Sequence, residues 1–216
     1  MLVEYLKNIP IFGHLKEPQL KEVASRCRDA AFKKNEVVFY TTTESTDLYI
    51  VLSGRLKAVL IDEGGAEMTL SRFKAGDFFG ELSLIDGKGR SATIVADEDS
   101  TLAVLRRDAF MDFLVKDPKV AVEMMATLVS RLRKADEIIE SLAFLEVSER
   151  LMKALLEIAR ADGEVHKGGV RIGKLTHREL AGRIGASREA VSKCMKAFAG
   201  EGVIREDGNF IYISRA

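Results

Sequence analysis

The stretch that decides the fold of the first half of the chain is Phe79-Gly80-Glu81-Leu82-Ser83-Leu84-Ile85-Asp86-Gly87-Lys88-Gly89-Arg90-Ser91-Ala92-Thr93. The planar guanidinium of Arg90 suits the oxygens of a phosphate, and Gly80 and Ser91 would let the backbone and a hydroxyl approach the same group. Glu81 can accept a hydrogen bond from a ribose hydroxyl, as acidic residues do in other nucleotide sites. The stretch therefore predicts a loop that binds phosphate and sugar. The alternative is a glycine-rich surface loop with a chance ion pair between Glu81 and Arg90.

Short strand-like runs surround this loop. They cover residues 37–40, 48–52, 56–61, 68–73, 92–96 and 102–105. The sequence Asp62-Glu63-Gly64-Gly65 is typical of a hairpin turn, because glycines adopt positive φ easily. Regularly spaced short strands predict a small β-roll of the jelly-roll type. Residues 3–31 carry apolar side chains at helical spacing, so this segment is predicted to be helical and Cys27 to be a small core residue.

A long helix is predicted after Asp108. Its apolar residues step by 4, 3, 4, 3, 4 and 3 positions: Ala121, Met125, Leu128, Leu132, Ala135, Ile139 and Leu142. Such a heptad pattern, flanked by charged residues, is typical of a seam between two parallel helices. We therefore expect a homodimer through residues 118–145. The alternative is a helix buried within a monomer.

A second specific pattern lies near the C-terminus. Thr176-His177-Arg178-Glu179 forms a capping box at the start of a helix, and Gly185-Ala186 ends that helix. Ser187 is a good N-cap for the next helix. Two short helices joined by a glycine-containing turn predict a helix-turn-helix, and residues 204–213, with Asp207-Gly208 at their centre, predict a hairpin wing.

The outer face of the second helix carries side chains that suit base edges and phosphates. Arg188 can bind guanine, Glu189 can accept from cytosine, and Lys193 can reach guanine or a phosphate. The chain has zero formal net charge, but residues 174–196 hold 6 basic and 2 acidic residues. The alternative is that these are solvated helix charges. The predicted DNA-binding set is Thr176, Ser187, Arg188, Glu189, Ser192, Lys193 and Lys196.

The order of these patterns resembles the CRP/FNR family of bacterial transcription regulators over nearly the whole chain. Phe79-Gly80-Glu81-Leu82 followed by Arg90-Ser91-Ala92 resembles the phosphate-binding cassette of cyclic-nucleotide-binding domains. Residues 184–192 resemble the recognition helix, and residues 142–145 the interdomain hinge. The resemblance implies an α+β fold with a β-roll sensor domain (1–110), a dimerisation helix and hinge (111–145), and a winged helix-turn-helix domain (146–216).

The resemblance also implies a cyclic nucleotide, cAMP or cGMP, as effector. The expected binding residues are Gly80, Glu81, Leu82, Ser83, Arg90, Ser91, Ala135 and Asp136. Relatives that bind cAMP present a Thr-Ser pair where this chain has Ala135-Asp136, and an aspartate suits the N1–H and 2-amino group of guanine better. A second departure is Thr41-Thr42-Thr43-Glu44-Ser45, which stands where the family usually has a Gly-Asp turn. We expect this loop to have a different shape.

Composition excludes several other classes. The chain has 2 cysteines and 3 histidines, which argues against a metal site, an enzyme such as a metal-dependent phosphodiesterase, and an iron–sulfur sensor. A switch without catalytic chemistry is expected. No run approaches the length of a membrane span and the N-terminus lacks a signal-peptide pattern, so a cytoplasmic location is expected. The expected partners are double-stranded DNA, a cyclic nucleotide and a second copy. The sequence does not show whether the protein contacts RNA polymerase, or whether it activates or represses transcription. The alternative function is a constitutive or differently liganded regulator with a degenerate nucleotide site.

Overall fold

The computed structural model describes residues 2–166 and 168–214, which divide into two compact units. The first unit comprises the chain up to Leu60 together with Leu70–Lys134. The second comprises Ile61–Thr69 together with the chain from Ala135 onward. Each unit has a hydrophobic core of its own, as expected for a chain of this length.

The first unit is built around two four-stranded antiparallel sheets. Its elements are α1 (Leu2–Leu6), α2 (Glu17–Ser25), β1 (Cys27–Phe32), β2 (Val37–Phe39), β3 (Leu48–Ser53), β4 (Arg55–Ile61), β5 (Glu67–Lys74), β6 (Phe78–Phe79), α3 (Glu81–Asp86), β7 (Thr93–Ala96), β8 (Ser100–Leu105), α4 (Arg107–Lys116) and α5 (Lys119–Phe144). The end of β4, the start of β5 and the C-terminal part of α5 belong to the second unit. The strand orders are β1-β8-β3-β6 and β2-β7-β4-β5. This is the predicted β-roll, and the six predicted strands are present within a residue or two.

Strand β3 shows why the sheets lie back to back. Tyr49 and Val51 pack between the two sheets, whereas Leu48 and Ile50 face a second cluster formed by the flanking helices. Side chains alternate between the faces of a strand, so a strand that is covered on both faces must be apolar throughout. The uninterrupted apolar run of β3 follows from this position.

The prediction of one helical segment over residues 3–31 is wrong in two places. Residues 7–15 form turns and bends between α1 and α2, and the last part of the segment is a strand. Cys27–Phe32 form β1, which pairs antiparallel with β8 from Cys27↔Leu105 to Phe32↔Ser100. The pairing partner lies far along the chain, so local periodicity carries no signal of it. Cys27 packs partly buried against the helical cluster, as predicted, and burial raises the pKa of its thiol to about 12.

The second unit is a winged helix-turn-helix, as predicted. It contains α6 (Val147–Asp162), β9 (Glu164–His166), β10 (Gly169–Gly173), α7 (His177–Ile184), α8 (Arg188–Gly200), β11 (Ile204–Asp207) and β12 (Phe210–Ser214). The strands form an antiparallel sheet of order β11-β12-β10-β9. Leu180, Val191 and Met195 from the two short helices are buried against Leu151 of α6 and Ile211 of the wing.

Helix α5 is 26 residues long and has two apolar faces. Val120 and Met124 are buried in the core of the first unit, and Leu128 packs partly against the same cluster. Leu128, which was predicted to lie in the intermolecular seam, packs partly on this intramolecular face, and the seam itself stays a prediction. The exposed large apolar side chains of the helix are Val122, Met125, Val129, Leu132, Ile139, Leu142 and Phe144. Across residues 2–166 and 168–214, no helix has the length and apolarity that a membrane crossing requires.

Candidate nucleotide site and DNA interface

The cassette begins with a glycine for which no other residue can substitute without strain. Gly80 follows β6 and is the N-cap of α3, with φ of 88°. A Cβ at this position would lie 2.7 Å from Arg90 Nη1 and 2.7 Å from the carbonyl oxygen of Asp47. Glycine is therefore required both by the left-handed backbone and by the close approach of the arginine.

Arg90 is buried, with 5% of its surface exposed. Its Nη1 donates to the carbonyl oxygen of Gly80 at 3.1 Å and its Nη2 to that of Asp47 at 3.0 Å. The Ser45 hydroxyl oxygen accepts from both Nε, at 3.1 Å, and Nη2, at 2.6 Å. The guanidinium carbon lies 4.2 Å from the centroid of the Phe39 ring. Burial lowers the pKa of Arg90, yet a guanidinium keeps its charge in proteins.

Glu81 does not form the chance pair with Arg90 that was the alternative reading of this loop. Its buried carboxylate has Arg131 of α5 as ion-pair partner, with Nη1 to Oε1 at 2.7 Å. Arg131 Nη2 also donates to the carbonyl oxygen of Phe78 at 2.5 Å, and the guanidinium lies over the rings of Phe73 and Phe78. The pair therefore joins the first turn of α3 to the middle of α5.

The other predicted nucleotide-binding residues differ in their burial and in the contacts that they make. Ser83 is buried and its hydroxyl donates to the carbonyl oxygen of Gly89 at 3.1 Å, so it holds the loop together. Leu82 and Ser91 are exposed. Ala135 and Asp136 are exposed on α5, within the second unit, and their contact with a base stays a prediction.

Three residues that surround the site were not predicted to belong to it: Ser45, Asp47 and Arg131. The unusual sequence of residues 41–45 was a signal for Ser45. Asp47 takes part through its backbone carbonyl, which every residue has, and sequence therefore cannot reveal it. Arg131 is one of several charged residues on α5, and nothing in the sequence distinguishes it from the others. Its ion pair with Glu81 is therefore apparent only in the folded chain.

The two helices of the DNA-binding unit begin with the predicted caps. Thr176 Oγ1 accepts from the backbone N–H of Glu179 at 3.1 Å, and the Glu179 carboxylate accepts from the N–H of Thr176 at 2.7 Å. Ser187 Oγ accepts from the N–H of Ala190 at 3.1 Å. Gly185 makes the turn with φ of 61°. The hydroxyls of Thr176 and Ser187, both predicted to bind DNA, thus cap their own helices.

Helix α8 presents its predicted polar face to solvent. Arg188, Glu189, Lys193 and Lys196 are exposed and, together with Ser192, line one surface depression. This gives the outer face a net positive charge.

Ser192 differs from its neighbours because it is tied inward. Its hydroxyl donates to the carbonyl oxygen of Arg188 at 2.9 Å, and the oxygen lies 2.7 Å from His177 Nδ1. His177 Nε2 is 3.8 Å from Glu206 of the wing. Ser192 and His177 therefore connect α8 to α7 and the wing, whereas the other four side chains are exposed on the outer face of α8.

Comparison with known proteins agrees with both halves of this geometry. Residues 30–117 match the family model of the cyclic nucleotide-binding domain, and residues 149–216 match the Crp-like helix-turn-helix domain. The cyclic AMP receptor protein of Thermus thermophilus is 34% identical over 93% of this chain and 90% of its own length. The chain belongs to the CRP/FNR family of transcription regulators.

Other members of the CRP/FNR family match over a similar extent. The cAMP-activated global transcriptional regulator CRP of Escherichia coli is 29% identical over 91% of this chain and 94% of its own length. The c-di-GMP-responsive global regulator CLP of Xanthomonas campestris has a TM-score of 0.84 at 20% identity, covering 93% of this chain and all of its own, and shows the shared fold. This CRP/FNR-family protein is a cyclic-nucleotide-binding, DNA-binding regulator, and its relatives are regulators rather than enzymes.

Proposed function

We propose that this regulator is a homodimer in which cAMP or cGMP binds at the cassette and changes the affinity for a palindromic operator. The observation that carries the proposal is the buried guanidinium of Arg90 beside Gly80, at the start of α3. A buried arginine next to a glycine with left-handed backbone offers a phosphate both charge and close access. The relatives named for cAMP are consistent with an effector of this class.

Glu81 would hold the ribose. Arg131 pairs with one of its carboxylate oxygens at 2.7 Å, and a carboxylate has about four acceptor sites. The remaining lone pairs can accept from a ribose hydroxyl without breaking the ion pair. Ribose and phosphate would thus be bound by two side chains, Glu81 and Arg90, at opposite ends of the cassette.

The exposed face of α5 is the proposed dimer seam. Val122, Met125, Val129, Leu132 and Ile139 have between 51% and 63% of their surface exposed. Their spacing of 3, 4, 3 and 7 residues is that of a heptad seam, and burying them between two parallel helices removes apolar surface from water. The register differs from the predicted one, since Val122 and Val129 replace Ala121 and Leu128.

One heptad position of this proposed seam holds a polar residue instead of an apolar one. It is Asp136, four residues after Leu132 and three before Ile139. A polar residue in an otherwise apolar seam weakens the dimer unless it finds a partner. The amino group of a bound base would be such a partner, and guanine offers two adjacent donors. This argument favours cGMP over cAMP at the Asp136 position.

Helix α5 supplies the coupling between ligand and DNA. It carries Arg131, which contacts the cassette through Glu81, and Asp136, which lies in the seam. A ligand that binds one arrangement of the paired helices more tightly shifts the population toward it, and DNA affinity changes by the same linkage. The DNA-reading side chains are Arg188 and Glu189, which suit a guanine–cytosine step within a half-site resembling TGTGA.

The test combines calorimetry with DNA binding. Purified protein is titrated with cAMP, cGMP and c-di-GMP, and operator affinity is measured by fluorescence anisotropy with and without each nucleotide. Binding of a cyclic mononucleotide together with a change in operator affinity supports the proposal. Catalytic turnover of the nucleotide, or a protein that stays monomeric at every concentration, would contradict it.

A second candidate is a constitutive regulator, or one that responds to a different ligand. It is favoured by the hydrogen bonds that Arg90 already makes to Ser45, Asp47 and Gly80 within the protein. An arginine with these partners can stabilise the fold without any ligand. Operator affinity that is high and unchanged across the three nucleotides would support this candidate.

A further inference from the structure

The acceptors around Arg90 are of two kinds. A guanidinium has one edge formed by Nε and Nη2 and another formed by Nη1 and Nη2. The second edge faces the backbone carbonyls of Gly80 and Asp47, which are adjacent to strands β6 and β3. The first edge faces a single side-chain oxygen, the Ser45 hydroxyl, at 3.1 and 2.6 Å.

Only one of these acceptors can move easily. The carbonyls of Gly80 and Asp47 belong to backbone that is held next to paired strands, so moving them would disturb the sheet. Ser45 lies on the loop of residues 41–45, in which Thr41, Thr42 and Glu44 are exposed. A rotation about its χ1 angle would carry the hydroxyl away from Arg90 and leave the backbone in place.

The hydroxyl also occupies the edge that an anion needs. A phosphate binds a guanidinium best through two parallel hydrogen bonds to one edge of the fork. In this structure the Nε–Nη2 edge donates both bonds to Ser45. The Phe39 ring covers one face of the guanidinium at 4.2 Å, which keeps Arg90 in this orientation. The protein thus supplies its own oxygen where a phosphate oxygen would lie.

We propose that the Ser45 hydroxyl is a displaceable occupant of the phosphate-binding edge of Arg90, and that it lowers the affinity of the site for phosphate-bearing ligands. The inference rests on the proposed nucleotide function, because it concerns the same site. The ligand must exchange the Ser45 bonds for its own, so only the difference between the two sets contributes to binding. This assigns a role to the loop that departs from the family pattern.

The variant that tests the inference is Ser45→Ala. In the ligand-free protein it leaves the Nε–Nη2 edge of a buried arginine without an acceptor, so the unfolding temperature should fall. In the ligand-bound protein the phosphate takes that edge in both variants, and the two unfolding temperatures should agree. The affinity for cAMP or cGMP should therefore rise, roughly tenfold, since a hydrogen bond to a charged group changes an equilibrium by about that factor. Weaker or unchanged nucleotide binding would overturn the inference.

Two matched variants separate the hydroxyl from the loop. Ser45→Thr keeps a hydroxyl at the same position, so its nucleotide affinity and its ligand-free stability should equal those of the wild type. Thr43→Ala removes the hydroxyl that accepts from the Tyr40 N–H at 3.0 Å, and so loosens the same loop without touching Arg90. Its nucleotide affinity should equal that of the wild type. A gain in Thr43→Ala as large as that in Ser45→Ala would show that loop mobility is the cause, and would overturn the inference.

Inorganic phosphate distinguishes this inference from the proposed function. If neither wild type nor Ser45→Ala binds any of the nucleotides, the proposed function fails, whereas phosphate still probes the arginine edge. Greater thermal stabilisation of Ser45→Ala than of wild type by inorganic phosphate, abolished by the additional change Arg90→Leu, supports the inference. Equal stabilisation of both proteins by phosphate overturns it.

Discussion

The ion pair between Arg131 and Glu81 allows a quantitative test of how α5 is attached to the cassette. The Glu81 side chain is 5% exposed and that of Arg131 is 28% exposed, with 2.7 Å between Nη1 and Oε1. Arg131→Met retains much of the packing against Phe73 and Phe78 and removes the charge. Glu81 is then left as a buried carboxylate without its cation.

The magnitude lies between two limits. Breaking a fully buried pair by removing one partner destabilises by about 3 to 5 kcal/mol, whereas an exposed pair contributes about 0 to 1 kcal/mol. Because one partner is buried and the other partly exposed, we expect a loss on the order of 2 to 3 kcal/mol. In a domain of this size that corresponds to a fall in the unfolding temperature of roughly 4 to 12 °C.

The assay is thermal and urea unfolding of four proteins: wild type, Arg131→Met, Glu81→Gln and the double variant. The matched control is Arg133→Met, which makes the same change at an exposed position two residues further along α5. This control should change stability by less than about 0.5 kcal/mol. The double variant should be more stable than the sum of the single changes predicts, because neither charge is then left alone. Equal effects of Arg131→Met and Arg133→Met, or strict additivity in the cycle, would refute the reasoning.

Three further predictions concern ligand and DNA. Arg90→Leu should reduce nucleotide affinity by about 2 to 5 kcal/mol in calorimetry, and Arg90→Lys should also bind poorly because an ammonium presents no planar fork of donors. Wild-type affinity in Arg90→Leu would show that Arg90 does not bind the nucleotide. Asp136→Ser should move the affinity ratio from cGMP toward cAMP, and an unaltered ratio would place Asp136 in solvent. Arg188→Ala should weaken operator binding by about 1 to 3 kcal/mol and relax selectivity at one guanine, as measured by selection from random DNA. Lys196→Ala should instead weaken binding to all DNA sequences evenly and reduce the salt dependence of binding. Non-palindromic selected sites would contradict the DNA assignment.

Local sequence was sufficient for the helix-turn-helix of the DNA-binding unit. The capping box of Thr176 and Glu179, the left-handed Gly185 and the N-cap Ser187 all have the predicted contacts. Each of these interactions joins residues within three or four positions of one another, so the pattern is complete in a short stretch of sequence. Six strands of the β-roll, β2 to β5, β7 and β8, were likewise predictable, because apolar runs and turn residues mark them locally.

Interactions between distant residues could not be obtained in the same way. The segment Cys27–Phe32 is a strand because β8 offers it an edge, and its own periodicity does not distinguish strand from helix. The exposed apolar face of α5 differs from the predicted seam at one position in each heptad, because Val122 and Val129 are exposed whereas Ala121 and Leu128 are partly buried. The sequence of a helix does not show which side its own domain will cover, and Leu128 therefore packs partly against the core of the first unit although the heptad pattern places it in the seam.

For the nucleotide site, too, the sequence indicated the chemistry of the side chains, whereas the fold determined which groups are in contact. The sequence alone was enough to predict that Gly80, Glu81 and Arg90 belong to a phosphate-binding cassette, since their spacing lies within one short segment. Only the tertiary structure decided what these groups contact: Arg90 donates to Ser45 and Asp47 from more than forty positions earlier, and Glu81 pairs with Arg131 fifty positions later. Burial makes each of these charged groups require a partner, and chain folding determines which partner lies within reach.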